Sequence, residues 1–216
     1  MKNDLFQPPL PSKNRPALRY AHLYGSADAL VLANLARRHS GPVVIVGEDM
    51  TGIHRLEEAL AFYLGEDDAP PLLAFPDWET LPYDVFSPYQ DIVSQRLETL
   101  HRLPALQRGL LLLPVATLMQ RLAPRDYLSG RVFDLKPGDR LDPQAFGERL
   151  TAAGYRHVPQ VNEHGEFAIR GALIDLYPMG SELPYRIDLF DDEIESIRTF
   201  DPQSQLTIDR TEALRL

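Results

Sequence analysis

The chain has 216 residues, 44% of them hydrophobic and 25% charged, with a formal net charge of −9 and no cysteine. That length and composition suit one large or two modest globular domains. Without cysteine there are no disulfides, thiolate zinc sites or cysteine nucleophiles, which fits a reducing cytoplasm. Both halves carry more acidic than basic residues, an argument against a free-standing nucleic-acid binder and for a protein partner. No run approaches the roughly 18 apolar residues that span a bilayer, and the first residues lack the apolar segment of a secretion signal.

Residues 1–16, rich in Pro, Asn and Lys, read as a flexible lead-in. Arg19–Tyr24 is a predicted strand, followed by Gly25 and by Ser26 as the N-cap of a helix to about His39, with Gly41 as its stop. Pro42–Val46 is a run of β-branched residues, the pattern of a strand buried on both faces. Thr51–Leu64 carries Ile53, Leu56, Leu60 and Tyr63 near helical spacing and stops at Gly65. A strand at Leu72–Phe75, a helix at Ile92–Leu103, a third buried strand at Gly109–Leu113 and a short helix at Val115–Leu122 follow. Alternating strands and helices imply right-handed crossovers and a parallel sheet, so residues 17–126 are expected to form a doubly wound α/β domain.

Beyond Pro124 the rhythm changes, which puts the domain boundary near 124–132. Lys136–Asp139 is a turn, and Asp142–Ala153 is a helix ending at Gly154. Phe167–Arg170, Ala172–Tyr177, Tyr185–Phe190 and Ile194–Phe200 then alternate with period two, the last three separated by turn residues at Pro178–Ser181 and Asp191–Asp192. Residues 127–216 are expected to form a small α+β domain on an antiparallel sheet.

The strand–Gly–helix entry at Leu23–Leu30 could be a nucleotide loop, but phosphate binding there needs several glycines, a lysine and a Ser/Thr for magnesium. Gly25 is its lone glycine, and Asp28 puts negative charge where a phosphate would sit. A helix start with no ATP site is the expectation. Asp77–Asp91 gathers aromatics with Pro82 and Pro88; a base-stacking platform would need interleaved basic residues, so an ordered loop covering the sheet is favoured. The histidines at 22, 39, 54, 101, 157 and 164 form no HExxH or HxxxH pair, and His164 reads as a solvated loop residue. No Ser-centred GxSxG elbow is present. No catalytic, cofactor or metal residue is expected.

Strand parity in the second domain is more informative. In Tyr185–Phe190, residues Tyr185, Ile187 and Leu189 face one way and suit the core. Arg186, Asp188 and Phe190 face the other. In Glu166–Arg170, Phe167 and Ile169 face the core, while Glu166, Ala168 and Arg170 face outward. Two arginines and an aromatic on one sheet face are residue types enriched where proteins bind proteins. The competing reading has Phe190 tucked under the next turn and the arginines paired with nearby acids.

The segments Gly154–Val158, Glu163–Met179 and Pro184–Ile194 closely resemble the second domain of the bacterial transcription-repair coupling factors (the Mfd family), and more distantly the UvrA-binding domain of UvrB. Asp77–Asp84 with Ser87–Ile92 resembles the first, UvrB-like domain of the same family. The resemblance implies a decayed helicase-type first domain and a second domain that docks UvrA at Arg170, Arg186 and Phe190, with Arg156, Glu163 and Asp188 as weaker neighbours. The Trp78–Asp91 loop is too short for the hairpin with which UvrB engages damaged DNA, so direct nucleic-acid binding is not carried over. The resemblance further implies a fragment of a much longer protein, with an RNA-polymerase-binding domain and an ATP-driven DNA translocase downstream as intramolecular partners. It also implies that a later stretch of chain returns to complete the first domain. Two other functions compete: a UvrB-type damaged-DNA or nucleotide-binding domain, and a packing module that keeps the motor inactive.

Overall fold

The computed structural model describes residues 5–65, 69–81, 85–122, 124 and 134–215. The boundary expected between 126 and 127 lies outside them, as do Pro82, Tyr83 and Asp84 of the aromatic loop. The chain divides into two compact units, residues 1–79 with 102–121 and residues 80–101 with 122–216.

The first unit contains helices α1 (Ala27–Arg38) and α2 (Met50–Leu64) and strands β1 (Pro42–Gly47), β2 (Leu72–Ala74) and β3 (Gly109–Pro114), followed by a single helical turn, α4 (Val115–Leu118). The strands form a parallel sheet in the order β1–β3–β2, with Ile45 opposite Leu112 and Leu72 opposite Leu110. The central strand β3 is buried along its whole length. Its Leu110 and Leu112 pack with Ala29, Ala33 and Ala36 of α1 and with Ile53 and Leu60 of α2. The small alanines let α1 lie close to its neighbours, and the Asp49 side chain caps α2 by accepting from Gly52 N at 2.7 Å.

Several expectations for this unit are corrected. Arg19–Tyr24 forms no strand; His22 takes a φ of 59°, which breaks an extended run. The stretch 1–16 is not a loose lead-in over its described part. Pro8 is buried, Arg38 donates to the Pro8 carbonyl at 2.6 Å, and Asn34 donates to that of Leu5 at 3.1 Å. Strand β1 is not buried on both faces, since Val44 and Val46 are exposed; it sits at the sheet edge while β3 takes the centre.

The second unit begins with helix α3 (Gln90–Arg102), whose residues up to His101 fall in it although the sequence reading places them in the first domain. Polar bonds give the reason. Ser94 is buried and its Oγ accepts from Gly180 N at 2.7 Å, while Asp91 Oδ1 lies 2.9 Å from Nδ1 of His164. His164 is therefore no solvated loop residue: Nε2 sits 2.7 Å from the Ser181 carbonyl and the ring packs on Tyr177.

Helix α5 (Pro143–Ala152) begins at Asp142, whose carboxylate accepts from Gln144 N and Ala145 N. A six-stranded sheet follows in the order β10–β9–β8–β7–β6–β5, comprising β5 (Arg156–His157), β6 (Glu166–Arg170), β7 (Leu173–Tyr177), β8 (Tyr185–Phe190), β9 (Glu193–Phe200) and β10 (Thr207–Thr211). Only the β5–β6 pair is parallel. A two-stranded ladder joins β4 (Asp134–Leu135) to β11 (Leu214–Arg215). One sheet face packs Phe167, Ile174, Leu176, Ile187, Leu189, Ile194 and Ile197 against Phe146 and Leu150 of α5. Parity alone would set Ile194 and Ile197 on opposite faces. A bulge between Asp188 and Leu189 brings both to the core, because Asp188 pairs with Ser196 while Leu189 pairs with Ile194.

Candidate docking surface

The opposite face of the sheet carries the residues singled out by parity. Register places Ala168, Asp175, Arg186, Arg198 and Arg210 in one row across β6 to β10, and Arg170, Leu173, Asp188 and Ser196 in the next. Phe190 ends β8 beyond that second row and is 72% exposed. That sets aside the part of the competing reading in which Phe190 tucks under a turn. The part in which the arginines pair with nearby acids holds, since Arg170 and Arg186 both pair with Asp175.

This face is not bare. Val161 covers Ala168, Tyr177 and Phe200 in a second apolar cluster, with Val158 against it. Ala168 and Glu166 face outward as expected, yet both are buried, Ala168 within this cluster and Glu166 against the backbone of Asn162 and Glu163. Glu166 accepts from Asn162 N and Glu163 N, both at 2.9 Å, and pairs with Arg156 at 3.0 Å. Arg156 also meets Glu163 at 3.2 Å. These weaker candidates form their own cluster at the other end of β6, about 13 Å along the strand from Arg170.

Near the open end, two guanidiniums share one carboxylate. Arg186 grips Asp175 in a bidentate bond, Nε to Oδ1 at 2.7 Å and Nη2 to Oδ2 at 3.0 Å. Arg170 Nη2 donates to the same Oδ2. The Asp175 side chain is 0% exposed, that of Arg186 15% and that of Arg170 46%. Arg186 also donates to the Gln205 carbonyl at 3.2 Å and stacks over the Phe200 ring at 4.6 Å. Its hydrogen bonds to Asp175 push the guanidinium pKa further up, against desolvation, which lowers it. A second acid near this end, Asp188, accepts from Ser196 Oγ at 2.7 Å and from Arg198 at 2.6 Å. Of the three principal candidates, then, Phe190 and Arg170 are presented to solvent, whereas Arg186 is largely internal.

Asp175, Arg198 and Phe200 were missed by the sequence reading, and one signal for them existed. Asp175 is the single charge in the apolar run Leu173–Tyr177 and shares outward parity with arginines on both flanking strands. A lone acid so placed is expected to be paired.

In the first unit, Gly25 takes a φ of 60° at the entry to α1. Ser26 stands at the N-cap position but makes no capping bond; its hydroxyl meets Tyr63 Oη at 2.8 Å. Asp28 Oδ1 accepts from Ala29 N at 2.8 Å, and Oδ2 pairs with Arg55 at 2.9 Å. A carboxylate thus engages the backbone donor that an anion would need. Asp77 accepts from Gln120 at 2.8 Å and from Thr117 at 3.4 Å, and so anchors its loop. In the second unit Phe86 and Tyr89, from the aromatic loop, are exposed.

The family model described as the UvrB interaction domain matches residues 133–216. The chain is 50% identical over 207 residues to the transcription-repair-coupling factor of Escherichia coli K12, covering 96% of this chain and 18% of that protein. The Haemophilus influenzae protein of the same name is 45% identical over 216 residues, covering 100% and 18%, and that of Bacillus subtilis is 29% identical over 196 residues, covering 91% and 16%. The chain belongs to the transcription-repair-coupling factor family. It corresponds to an amino-terminal segment, spanning less than a fifth of the length of these relatives. The whole of the six-stranded sheet, with Arg170, Asp175, Arg186 and Phe190, falls inside the UvrB-interaction match. Among the described residues of this family member, no helix is long and apolar enough to cross a membrane.

Proposed function

We propose that this chain is the UvrA-recruiting module of a transcription-repair coupling factor, linking RNA polymerase stalled at a lesion to nucleotide excision repair. The observation that carries the reading is Phe190, a large aromatic left 72% exposed at the end of a core strand, on the same sheet face as the half-exposed Arg170. An aromatic beside an arginine on a rigid sheet supplies apolar area to bury and a planar fork for a carboxylate. The match of this region to a UvrB interaction domain supports the same reading. In this proposal the translocase activity and the polymerase contact belong to the remainder of the longer protein, and the segment itself performs no catalysis. The Asp28–Arg55 pair at the start of α1 supports that division, because it sets a carboxylate where a nucleotide phosphate would have to bind.

The test is capture of the 216-residue chain by purified UvrA, RNA polymerase and duplex DNA in parallel, with a fluorescent-ATP titration alongside. Saturable binding to UvrA, with none to DNA at physiological salt and none to nucleotide, is the expected result. Tight, damage-dependent DNA binding would instead favour a UvrB-type domain.

A further inference from the structure

The docking face contains a charge arrangement that separates its arginines by role. Two guanidiniums against one carboxylate leave a surplus positive charge in the Arg170–Asp175–Arg186 group. Arg186 matches Asp175 bidentately, is nearly enclosed, and spends a further donor on the Gln205 carbonyl. Arg170 reaches the carboxylate through one nitrogen, and the rest of its fork meets no acceptor among the described residues. The unmatched charge therefore lies on the more exposed arginine.

We propose that Asp175 is a positioning residue for docking. Backed by Arg186, it fixes the orientation of the Arg170 guanidinium, and Arg170 together with Phe190 forms the contact that takes a carboxylate of the partner. This rests on the reading of the face as a UvrA-docking surface. Arg186 serves binding from inside the sheet, through Asp175, without itself being the contact.

The physical basis is preorganisation. A surface arginine samples many rotamers, and binding must freeze them. Here Arg170 is already tethered to a carboxylate that is fully buried and fixed from its other side. Since the tether occupies one edge of the guanidinium, its remaining donors stay available for a second carboxylate. A simple count of charges leads the other way: neutralising Asp175 makes the face more positive, which should strengthen attraction to an acidic partner. The two accounts thus differ in sign.

The experiment measures the affinity of purified UvrA for the 216-residue chain and for Arg170→Ala, Asp175→Asn and the double variant, each confirmed as folded by circular dichroism at the assay temperature. Arg170→Ala and Asp175→Asn are each expected to weaken binding about tenfold. The double variant is expected to match Arg170→Ala within about twofold, because Asp175 acts only through Arg170. Tighter or unchanged binding by Asp175→Asn would overturn the proposal. So would a penalty from Asp175→Asn that persists undiminished in the Arg170→Ala background, the signature of a merely structural role. If Asp175→Asn does not fold, Arg186→Lys takes its place in the same cycle. It keeps the charge but cannot grip the carboxylate bidentately, and it should weaken binding only when Arg170 is present. A folded wild-type chain without affinity for UvrA would overturn the docking reading itself, a result distinct from any of these.

Discussion

Replacing Arg186 with alanine should destabilise the second unit far more than replacing Arg170. The substitution deletes both bonds of the bidentate pair with Asp175, the bond to the Gln205 carbonyl and the stack over Phe200. Asp175, with its side chain 0% exposed, then keeps only the bond from Arg170. Breaking a buried ion pair by removing one partner costs about 3–5 kcal/mol. The surviving Arg170 bond keeps the carboxylate from being stranded, which brings the expectation to about 2–4 kcal/mol. At roughly 4 °C per kcal/mol for a domain of this size, melting should fall by about 8–16 °C. Arg170, with a side chain 46% exposed, should lose no more than about 1 kcal/mol on the same change, since partly screened surface pairs contribute little. Thermal melting followed by circular dichroism, with urea titration as a second axis, reads both variants. An Arg186→Ala protein melting within about 2 °C of wild type, or an Arg170→Ala protein melting lower than it, would refute the division into a buried and a presented arginine.

Phe190→Ala should leave melting nearly unchanged, within about 1 kcal/mol, while weakening UvrA about ten- to a hundredfold; a stability loss of about 3–5 kcal/mol in urea titration would instead mark Phe190 as core. Gly109→Ala should destabilise the first unit by more than about 2 kcal/mol. Its φ of 146° is unfavourable for an L side chain, and an added Cβ would sit 2.5 Å from the Pro71 carbonyl oxygen, itself the acceptor for Leu110 N; a urea midpoint like wild type would contradict this. Desolvation raises the pKa of half-buried Glu57, with lowering by His54 and raising by Glu58 as smaller causes. A carboxyl raised in the folded state favours folding below its unfolded value, about 4.3, and loses that advantage as pH rises through the folded value. Glu57→Gln should therefore melt slightly higher than wild type at pH 7, with the gap closing below about pH 4, and equal melting at both pH values would show that burial there is inconsequential.

Much of this architecture was legible because burial and period coincide. The run Gly109–Pro114 is apolar throughout and is the fully buried central strand. In β8, Ile187 and Leu189 alternate with Arg186, Asp188 and Phe190, and the faces follow. The misreadings share a cause. Arg19–Tyr24 has strand-like residues, but a strand requires a pairing partner, and no local rule reports one. Val44 and Val46 look like interior residues, yet β1 lies at the sheet edge, a fact of strand order that composition does not encode. On the outer face of the six-stranded sheet, parity identified outward residues and could not say which of them lie beneath a covering segment. Ala168 and Phe200 point outward and are buried, and Arg186 points outward and is held inside by Asp175. Covering the face requires Val158 and Val161, from a stretch with no periodic signal.

The division of the chain has a practical corollary for anyone wishing to isolate its halves. The backbone passes between the units at 79–80, 101–102 and 121–122, so neither is a continuous stretch of sequence, and no single cleavage releases one intact. A fragment starting at residue 127 would include the entire six-stranded sheet but leave behind Ser94, which receives the Gly180 N–H, and Asp91, which faces His164. Limited proteolysis that nicks the 103–122 stretch should accordingly leave the pieces associated under native conditions and separable only in denaturant. Dissection of this protein is then better done by substitution than by truncation.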